Sequence, residues 1–473
     1  MSLREHLDTD RRLDTPLHRQ LYHRFREAIA AGRFRPGDRV PSIRALASEL
    51  NLARGTVELA YQELATEGYL LSRGAAGTVV SPHLVPERIP LAVAQTAEDL
   101  PQKPEEVGRL QPMPFQLGSP ALDAVPIRLW RRLITRRLKM SDTGLLSYPD
   151  PRGDLGLRQA LAGYLGVSRG IACDADQIIV TAGYCDSLSL ICRTLLRQGD
   201  ESWFEEPGYF QARYMLEAAG VVLTPIDVDD GGINVDLGRS KAERAQMAVV
   251  TPTHQSPTGV SLTLPRRQAL LEWANDNESW IVEDDYDSEY RYRGRPIPAL
   301  KSLDRTGRVL YAGTFSKVLF PGLRLAYLVV PPSEVVRFGE TLSRYGHGCP
   351  QLPQAALADF IRDGHFARHL KRMRALYAQR RGYLQRALQT ALSDRLSVEL
   401  QAGGMHLLAR CVGEERDVEL AERAKGAGLK VEALSTWFAD DTDRAGLLLG
   451  FTNIASEEDA IRLVSELKRA FDD

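Results

Sequence analysis

Cysteine is scarce in this chain of 473 residues, and its distribution excludes two common kinds of scaffold. The five cysteines are scattered without a C-x-x-C pair, so neither a zinc ribbon nor a disulfide framework is indicated. Free cysteines in this number are typical of a reducing compartment. We therefore expect a cytoplasmic protein.

Long apolar runs and an excess of charge of one sign are missing as well. No uncharged stretch of about 18 residues suggests a membrane span, and the first thirty residues lack signal-peptide character. The formal net charge of -2 argues against a protein that is basic throughout. We expect a soluble protein without a membrane partner, whose charge has to be assessed region by region.

The first eighty residues carry a pattern of short helices. Leu17, Leu21, Phe25 and Ile29 recur every fourth residue and predict a first helix. The stretch "PSIRALASELNLARGTVELAYQELATEGYL" predicts two more helices joined by a tight turn, the first of them capped by Ser42. "YLLSRGAAGTVVS" then alternates into a glycine-rich turn and back, as a two-stranded wing does. Together these elements predict a winged helix.

The stretch between residues 33 and 54 is basic, because it contains five arginines and only two acidic residues. The second helix of a helix-turn-helix lies in the major groove with its N-terminal residues toward the bases. Here that end is Arg54, Gly55 and Thr56. A small helical domain that binds protein, with solvated arginines, is the alternative interpretation.

From Pro16 through the wing, the sequence resembles the DNA-binding domain of the GntR family of bacterial transcription regulators. The resemblance implies a winged helix over residues 14–82 that binds double-stranded DNA. It further implies that Arg44 and Arg54 contact DNA, with Thr56, Gly77 and Thr78 near the phosphates.

Residues 83–113 contain recurring prolines without sustained periodicity, and they predict a linker. From 114 to 473, apolar strand-like runs alternate with helical patterns. This alternation predicts an α/β domain with a mostly parallel sheet and helices on both faces. Ligands of such sheets bind at the carboxyl ends of the strands.

Unusual polar groups follow several of these predicted strands. Each alone is explained by a solvated strand end, but the set matches one ligand, pyridoxal 5'-phosphate. A lysine can form a Schiff base with its aldehyde, and a carboxylate can hold the proton on its ring nitrogen. A tyrosine can donate a hydrogen bond to its phenolate, and a second aromatic ring can stack on its face. An arginine and helix-terminal amides can take its phosphate.

The spacing resembles the fold type I, or aspartate aminotransferase-like, family from about Phe115 to the end. The resemblance implies that Lys317 is the Schiff-base lysine, that Asp284 is the ring-nitrogen partner and that Tyr286 is the O3' partner. It also implies that Tyr209 stacks on the ring and that Thr314 and Arg324 bind the phosphate. The amides at Gly183 and Tyr184, at the predicted helix start, are further candidates for the phosphate. Finally, the resemblance implies that Tyr148 reaches the neighbouring subunit's phosphate. The last of these implies a homodimer.

A winged helix of the GntR type ahead of an aminotransferase-like domain is the organisation of the MocR/GabR-type regulators. "EDDYDSEYRY" and "TPTHQSPTGV" are also similar to that subfamily. The resemblance implies a transcription regulator that depends on pyridoxal phosphate and senses an amine, an amino acid or the cofactor itself. An active aminotransferase with an accessory DNA-binding domain is the alternative.

Two positions depart from the aminotransferase pattern. The phosphate loop reads Gly183, Tyr184, Cys185 where a small hydroxyl residue and glutamine are usual. Leu448 stands where aminotransferases carry the arginine that binds the substrate carboxylate, and Arg444 lies about 13 Å away along a strand. We therefore expect ligand sensing rather than turnover.

One further pair could suggest a metal. His365 and His369 are four residues apart on a predicted helix, among Arg368, Lys371 and Arg372. No carboxylate or cysteine completes a site, so we predict a solvated basic face and no metal.

Overall fold

The computed structural model describes residues 7, 9–10, 12–84, 112–140, 147–346, 348–413, 415–439 and 443–472. The chain divides into two compact units, residues 1–108 and 109–473. Most of the predicted linker, residues 85–111, lies outside the described residues.

The first unit is the predicted winged helix. Its helices are α1 (Leu17–Ala30), α2 (Ile43–Glu49) and α3 (Arg54–Thr66), followed by an antiparallel pair of strands, β1 (Leu70–Ser72) and β2 (Thr78–Val80). The hydroxyl of Ser42 accepts a hydrogen bond from the amide of Ala45 at 3.2 Å, which caps α2 as predicted. The apolar faces of the three helices meet in one core that includes Phe25, Leu46 and Leu64.

The second unit contains one large sheet, one small sheet and the helices around them. The helices are α4 (Ile127–Met140), α5 (Leu155–Arg169), α6 (Tyr184–Leu195), α7 (Phe210–Ala218), α8 (Val235–Ala242), α9 (Leu264–Asp276), α10 (Val335–Tyr345), α11 (Gln351–Arg362), α12 (His365–Ala391), α13 (Asp417–Gly426) and α14 (Glu457–Asp472). The strands of the large sheet are β3 (Ile178–Thr181), β4 (Glu201–Glu206), β5 (Val222–Asp229), β6 (Gly232–Ile233), β7 (Met247–Val250), β8 (Trp280–Asp285), β9 (Val309–Thr314) and β10 (Ala326–Val329).

The order in the large sheet is β3-β10-β9-β8-β7-β4-β5-β6. The five strands β9, β8, β7, β4 and β5 are mutually parallel, whereas β10 runs antiparallel to both of its neighbours and β6 runs antiparallel to β5. The predicted mostly parallel sheet is confirmed. Its parallel strands deliver their carboxyl ends to one edge, so the polar segments that follow them converge there.

Helices cover both faces of this sheet and bury its apolar side chains. Leu161, Tyr327 and Phe366 belong to the core on one face, and Leu188, Ala312 and Phe338 belong to the core on the other. Burial on both faces explains why β7, β9 and β10 read as continuous apolar runs in the sequence.

The C-terminal part forms a second, antiparallel sheet of four strands. They are β11 (Leu396–Glu399), β12 (His406–Cys411), β13 (Glu432–Ala433) and β14 (Gly446–Gly450), in the order β11-β12-β14-β13. Among the helices of the described ranges, none is long and apolar enough to cross a membrane.

Candidate functional site

Lys317 lies just after β9, and its side chain is largely buried. Its Nζ donates a hydrogen bond to the carbonyl oxygen of Gly118 at 2.9 Å. Gly118 has φ +65°, and a Cβ there would lie 2.4 Å from Nζ, so a side chain at this position would have to displace the lysine amine. Burial lowers the pKa of Lys317, although the charges of Asp287, Asp284 and Glu432 oppose this shift. A lowered pKa gives the amine more of the neutral form that can attack a carbonyl carbon.

The three acids at the end of β8 separate by strand alternation. Glu283 accepts hydrogen bonds from the amides of Leu300 and Lys301, and Asp285 pairs with Arg169 at 2.6 Å. Because successive side chains on a strand point to opposite faces, Asp284 faces the other side from these two. Two of the acids are therefore structural, and only Asp284 is left for a ligand.

Asp284 is buried at the end of β8, where its charge also acts on the pKa of Lys317. Burial raises its pKa well above the usual value, the Tyr184 phenol beside it opposes the rise, and the charges of Asp285 and Glu205 add to it. A buried carboxylate of this kind is stabilised when a cation is placed against it. A protonated pyridine nitrogen is such a cation.

The hydroxyl of Tyr286 lies in a polar cluster. It is 3.0 Å from Nδ1 of His254, and the same Nδ1 is 3.1 Å from Oδ1 of Asp287. Burial raises the pKa of Tyr286, the charge of Asp287 adds to the rise, and the hydroxyl of Ser256 opposes it. Tyr286 is therefore a neutral phenol that can donate a hydrogen bond.

Tyr209 lies among other aromatic rings. Its ring centroid is 6.3 Å from that of Trp437 and 6.5 Å from that of Tyr184, and its hydroxyl donates to Gln211 at 2.6 Å. These contacts fix the ring plane, as a stacking residue requires.

The N-terminus of α6 and Arg324 come together. Gly183 precedes the first turn of α6, and a Cβ there would lie 3.3 Å from Nη2 of Arg324. A helix N-terminus beside a guanidinium is a favourable place for a phosphate. Thr314 lies at the end of β9, and its hydroxyl accepts a hydrogen bond from the amide of Ser316 at 3.1 Å.

The geometry fits pyridoxal 5'-phosphate. A lysine in a glycine cradle, a buried carboxylate, a phenol donor, a fixed aromatic ring and a cationic helix end are all present in one unit. These groups match the aldehyde, ring nitrogen, phenolic oxygen, ring face and phosphate of that cofactor.

Leu448 lies in an apolar cluster beside this arrangement. It is fully buried with Leu408, Leu434 and Trp437, and Tyr209 packs against the same cluster. Arg444 donates to the carbonyl oxygen of Val228 at 3.1 Å. The position that we aligned with the substrate-binding arginine is therefore apolar in its contacts as well as in its identity.

Tyr148 stands apart from the other predicted site residues. Its side chain is 99% exposed, so within one chain it touches none of them. Its predicted role concerns the phosphate of a second subunit.

The predicted DNA-contacting residues lie on the surface of the first unit. Arg44 and Arg54 are exposed on α2 and α3, and Thr56 is partly exposed. Gly77 and Thr78 lie in the wing, where Gly77 has φ +92°. Nη2 of Arg39 donates to the carbonyl oxygen of Ala76 at 2.5 Å, which holds the wing against the body of the unit.

The predicted solvated face of α12 is wrong for His369. This residue is 5% exposed, and its Nε2 lies 2.9 Å from the carbonyl oxygen of Val318. The reason is its place in the apolar stripe of α12 with Phe366, Leu370 and Met373. Within the described residues, no group of three His, Cys, Asp or Glu side chains could hold a metal ion.

Sequence comparison identifies both units. The model for "Bacterial regulatory proteins, gntR family" matches residues 17–80, and the model for "Aminotransferase class I and II" matches residues 116–432. The chain is 38% identical over 455 residues to the probable rhizopine catabolism regulatory protein MocR of Rhizobium meliloti, covering 94% of this chain and 92% of that protein. The chain belongs to the MocR-type regulators of the GntR family.

This MocR-type regulator is similar to other proteins over comparable lengths. It is 32% identical to the pyridoxine biosynthesis transcriptional regulator PdxR of Corynebacterium glutamicum, covering 95% of this chain and 94% of that protein. Kynurenine aminotransferase of Pyrococcus horikoshii superposes with a TM-score of 0.69 and 26% identity, covering 76% of this chain and 90% of that chain. The regulator is therefore a DNA-binding transcription regulator with an aminotransferase-like domain, and its cofactor is pyridoxal 5'-phosphate.

Several residues of the arrangement carried no role in the sequence-based prediction. Gly118 is 199 positions from Lys317, and no local pattern connects the two. His254 and Ser256 belong to the motif "TPTHQSPTG", which carried the resemblance to the subfamily but gave neither residue a partner. Asp287 lies one residue after Tyr286, and its pairing with His254 depends on the fold.

Proposed function

We propose that this MocR-type regulator holds pyridoxal 5'-phosphate on Lys317 and that an amine or amino-acid effector, acting at this site, changes how it binds DNA. The observation that carries the proposal is the convergence of Lys317, Asp284 and Tyr286 in one unit of a chain whose other unit is a winged helix. The cofactor, when bound, supplies an aldehyde carbon that accepts amines and a ring that withdraws electrons.

Each residue of the chain has a separate task in this proposal. Lys317 holds the cofactor covalently, Asp284 keeps the proton on the ring nitrogen, and Tyr286 donates to the phenolic oxygen. Tyr209 stacks on the ring. Four positions bind the phosphate: Arg324, Thr314 and the backbone at Gly183 and Tyr184, where α6 begins. The apolar cluster around Leu448, against which Tyr209 packs, keeps water from that side of the cofactor.

The contacts of Leu448 favour sensing over turnover. An amino-acid substrate without an arginine clamp on its carboxylate is poorly positioned, and a misplacement of about 1 Å can cost on the order of a hundredfold in rate. An effector amine could still displace Lys317 without any further reaction. The cofactor itself could also be the signal, in which case occupancy alone would change DNA binding.

The testing experiment compares wild-type protein with Lys317→Ala. Wild-type protein mixed with the cofactor should show a visible absorption band that survives gel filtration, and the variant should lose it. We expect the protein to prefer the upstream region of its own gene over random DNA. Candidate amines should alter this preference in the wild type but not in the variant. Absence of that preference would sink the proposal.

An active aminotransferase remains the second candidate, because the set of Lys317, Asp284 and Tyr286 is complete. Turnover of amino donors with a keto acid, abolished in Lys317→Ala, would support it. No turnover over a broad panel of donors would count against it.

We also propose that the regulator acts as a cytoplasmic homodimer. The nearly full exposure of Tyr148 supports the dimer, because a residue that serves the partner's phosphate has to project from its own subunit. DNA binding by a bacterial regulatory protein supports a location in the cytoplasm. For Arg44, Arg54, Thr56, Gly77 and Thr78 we propose contacts to base edges and phosphates, as their surface positions on the winged helix allow.

A further inference from the structure

The cluster behind Tyr286 has a definite hydrogen-bond direction. Nδ1 of His254 lies 3.1 Å from Oδ1 of Asp287 and 3.0 Å from the hydroxyl oxygen of Tyr286. An ionised carboxylate only accepts hydrogen bonds, so Nδ1 has to carry a proton. That proton is shared between the carboxylate and the phenol oxygen.

This direction determines what the tyrosine can do with its own proton. If Nδ1 lacked a proton, Tyr286 would donate to it, and the phenol would be turned away from a ligand. Because Nδ1 is a donor, the oxygen of Tyr286 accepts from His254 and its O–H is left to donate elsewhere.

The cluster is enclosed and tightly built. His254 is 7% exposed and Asp287 is 1% exposed. Within the described part of the chain, the carboxylate of Asp287 has His254 as its hydrogen-bond partner. Gly404 has φ +94°, and a Cβ there would lie 2.3 Å from Cε1 of His254, so a glycine makes room for the ring. The imidazole is therefore fixed in position.

We propose that Asp287 and His254 form a positioning pair that orients the hydroxyl of Tyr286 as a hydrogen-bond donor toward the phenolic oxygen of the bound cofactor. This inference rests on the proposed function, because it assumes that the cofactor binds beside Tyr286. It assigns His254 and Asp287 a role that acts through Tyr286 and not through contact with the cofactor.

Other ionisable groups face the same hydroxyl and have to stay constant in a test. From β8 and its loop these are Asp284 and Asp287, from β4 it is Glu205, and the hydroxyl of Ser256 lies beside them. His406 is the second histidine of the cluster, with its ring centroid 6.0 Å from that of His254 and its Nε2 2.8 Å from the carbonyl oxygen of Pro257. Since it does not contact Tyr286 in this structure, His406 offers a matched control.

The test measures the pH midpoint of the visible absorption of the full-length protein loaded with pyridoxal 5'-phosphate. A hydrogen bond donated to the phenolic oxygen stabilises the deprotonated chromophore, so losing the donor raises the midpoint. Tyr286→Phe should raise it by about one to two pH units, the size of one hydrogen bond to a charged group. His254→Leu keeps the hydroxyl but removes the group that orients it, so it should raise the midpoint by part of that amount. His254→Leu in the Tyr286→Phe background should add nothing further.

Conservative variants separate positioning from packing. His254→Asn places an amide N–H where Nδ1 lies and should keep the wild-type midpoint. His254→Gln places it one bond further out and should behave like His254→Leu, which keeps the test decisive if the leucine variant does not fold. His406→Leu should leave the midpoint unchanged.

Three outcomes would overturn the inference while the cofactor still binds. These are an unchanged midpoint in His254→Leu and His254→Gln, an equal shift in His406→Leu, or a shift that persists at full size in the Tyr286→Phe background. If the wild type shows no visible band at all, the proposed function fails and the inference fails with it.

Discussion

Replacing Gly118 with alanine perturbs the cradle of Lys317 in two ways that can be separated. The residue has φ +65°, a conformation that costs a residue with a side chain about 1–2 kcal/mol. The new Cβ would also lie 2.4 Å from Nζ of Lys317, whereas ordinary contacts begin at 3.4 Å. The amine therefore has to move by about 1 Å, which can slow reaction with the cofactor by on the order of a hundredfold.

The assay follows the visible absorption band after mixing with pyridoxal 5'-phosphate, beside the free energy of unfolding from urea denaturation. Gly199 provides a matched control, because it has φ +89° with nothing within 4 Å of an added Cβ. Gly199→Ala should lose a similar amount of stability, about 1–2 kcal/mol, and react with the cofactor at the wild-type rate. Reaction of Gly118→Ala at that same rate would refute the proposed cradle.

Two further predictions concern DNA binding and pH. Arg54→Ala should weaken operator binding and lower the salt dependence of the binding constant by about one phosphate contact. Arg24→Ala on α1, where Arg24 pairs with Glu27, should change neither quantity. Fluorescence anisotropy at several salt concentrations measures both. Burial raises the pKa of Glu205 from 4.5 to about 7, so its contribution to stability is present below pH 4.5 and lost as pH rises through about 7. In urea denaturation across this pH range, the stability of the wild type should fall by roughly 3 kcal/mol more than that of Glu205→Gln. The glutamine keeps a neutral acceptor for the amide of Thr251. If the stabilities of the two proteins changed equally with pH, the raised pKa of Glu205 would be contradicted.

The sequence was sufficient for the elements with strong local patterns. Strands β7 and β10 are apolar along their whole length, and β9 is apolar up to Thr314, because both faces of the sheet are covered. Such runs are visible without a structure. The C-terminal sheet was largely not predicted. Its strand β13 has two residues, which is too short for a periodicity, and it is defined by its pairing with β14.

The candidate site divides in the same way. Lys317 and Tyr286 follow predicted strands, and Asp284 lies at the end of one, so the position of the strand ends sufficed to bring them together. Gly118 and Lys317 are distant in the chain, and the packing that joins them leaves no pattern in either segment. His369 was placed on the surface because of its charged neighbours, but the helix rotates it into the core.

Because side chains alternate between the two faces at the end of β8, the number of residues in this strand decides which acid faces the site. Glu283 and Asp285 hold the frame through Leu300, Lys301 and Arg169, while Asp284 alone faces the opposite side. One residue inserted between Trp280 and Glu283 would turn Glu283 toward the cofactor and Asp284 toward Arg169. It would also leave the amides of Leu300 and Lys301 without their carboxylate acceptor. By composition the three adjacent acids look interchangeable, but their register on the strand decides which of them faces the cofactor.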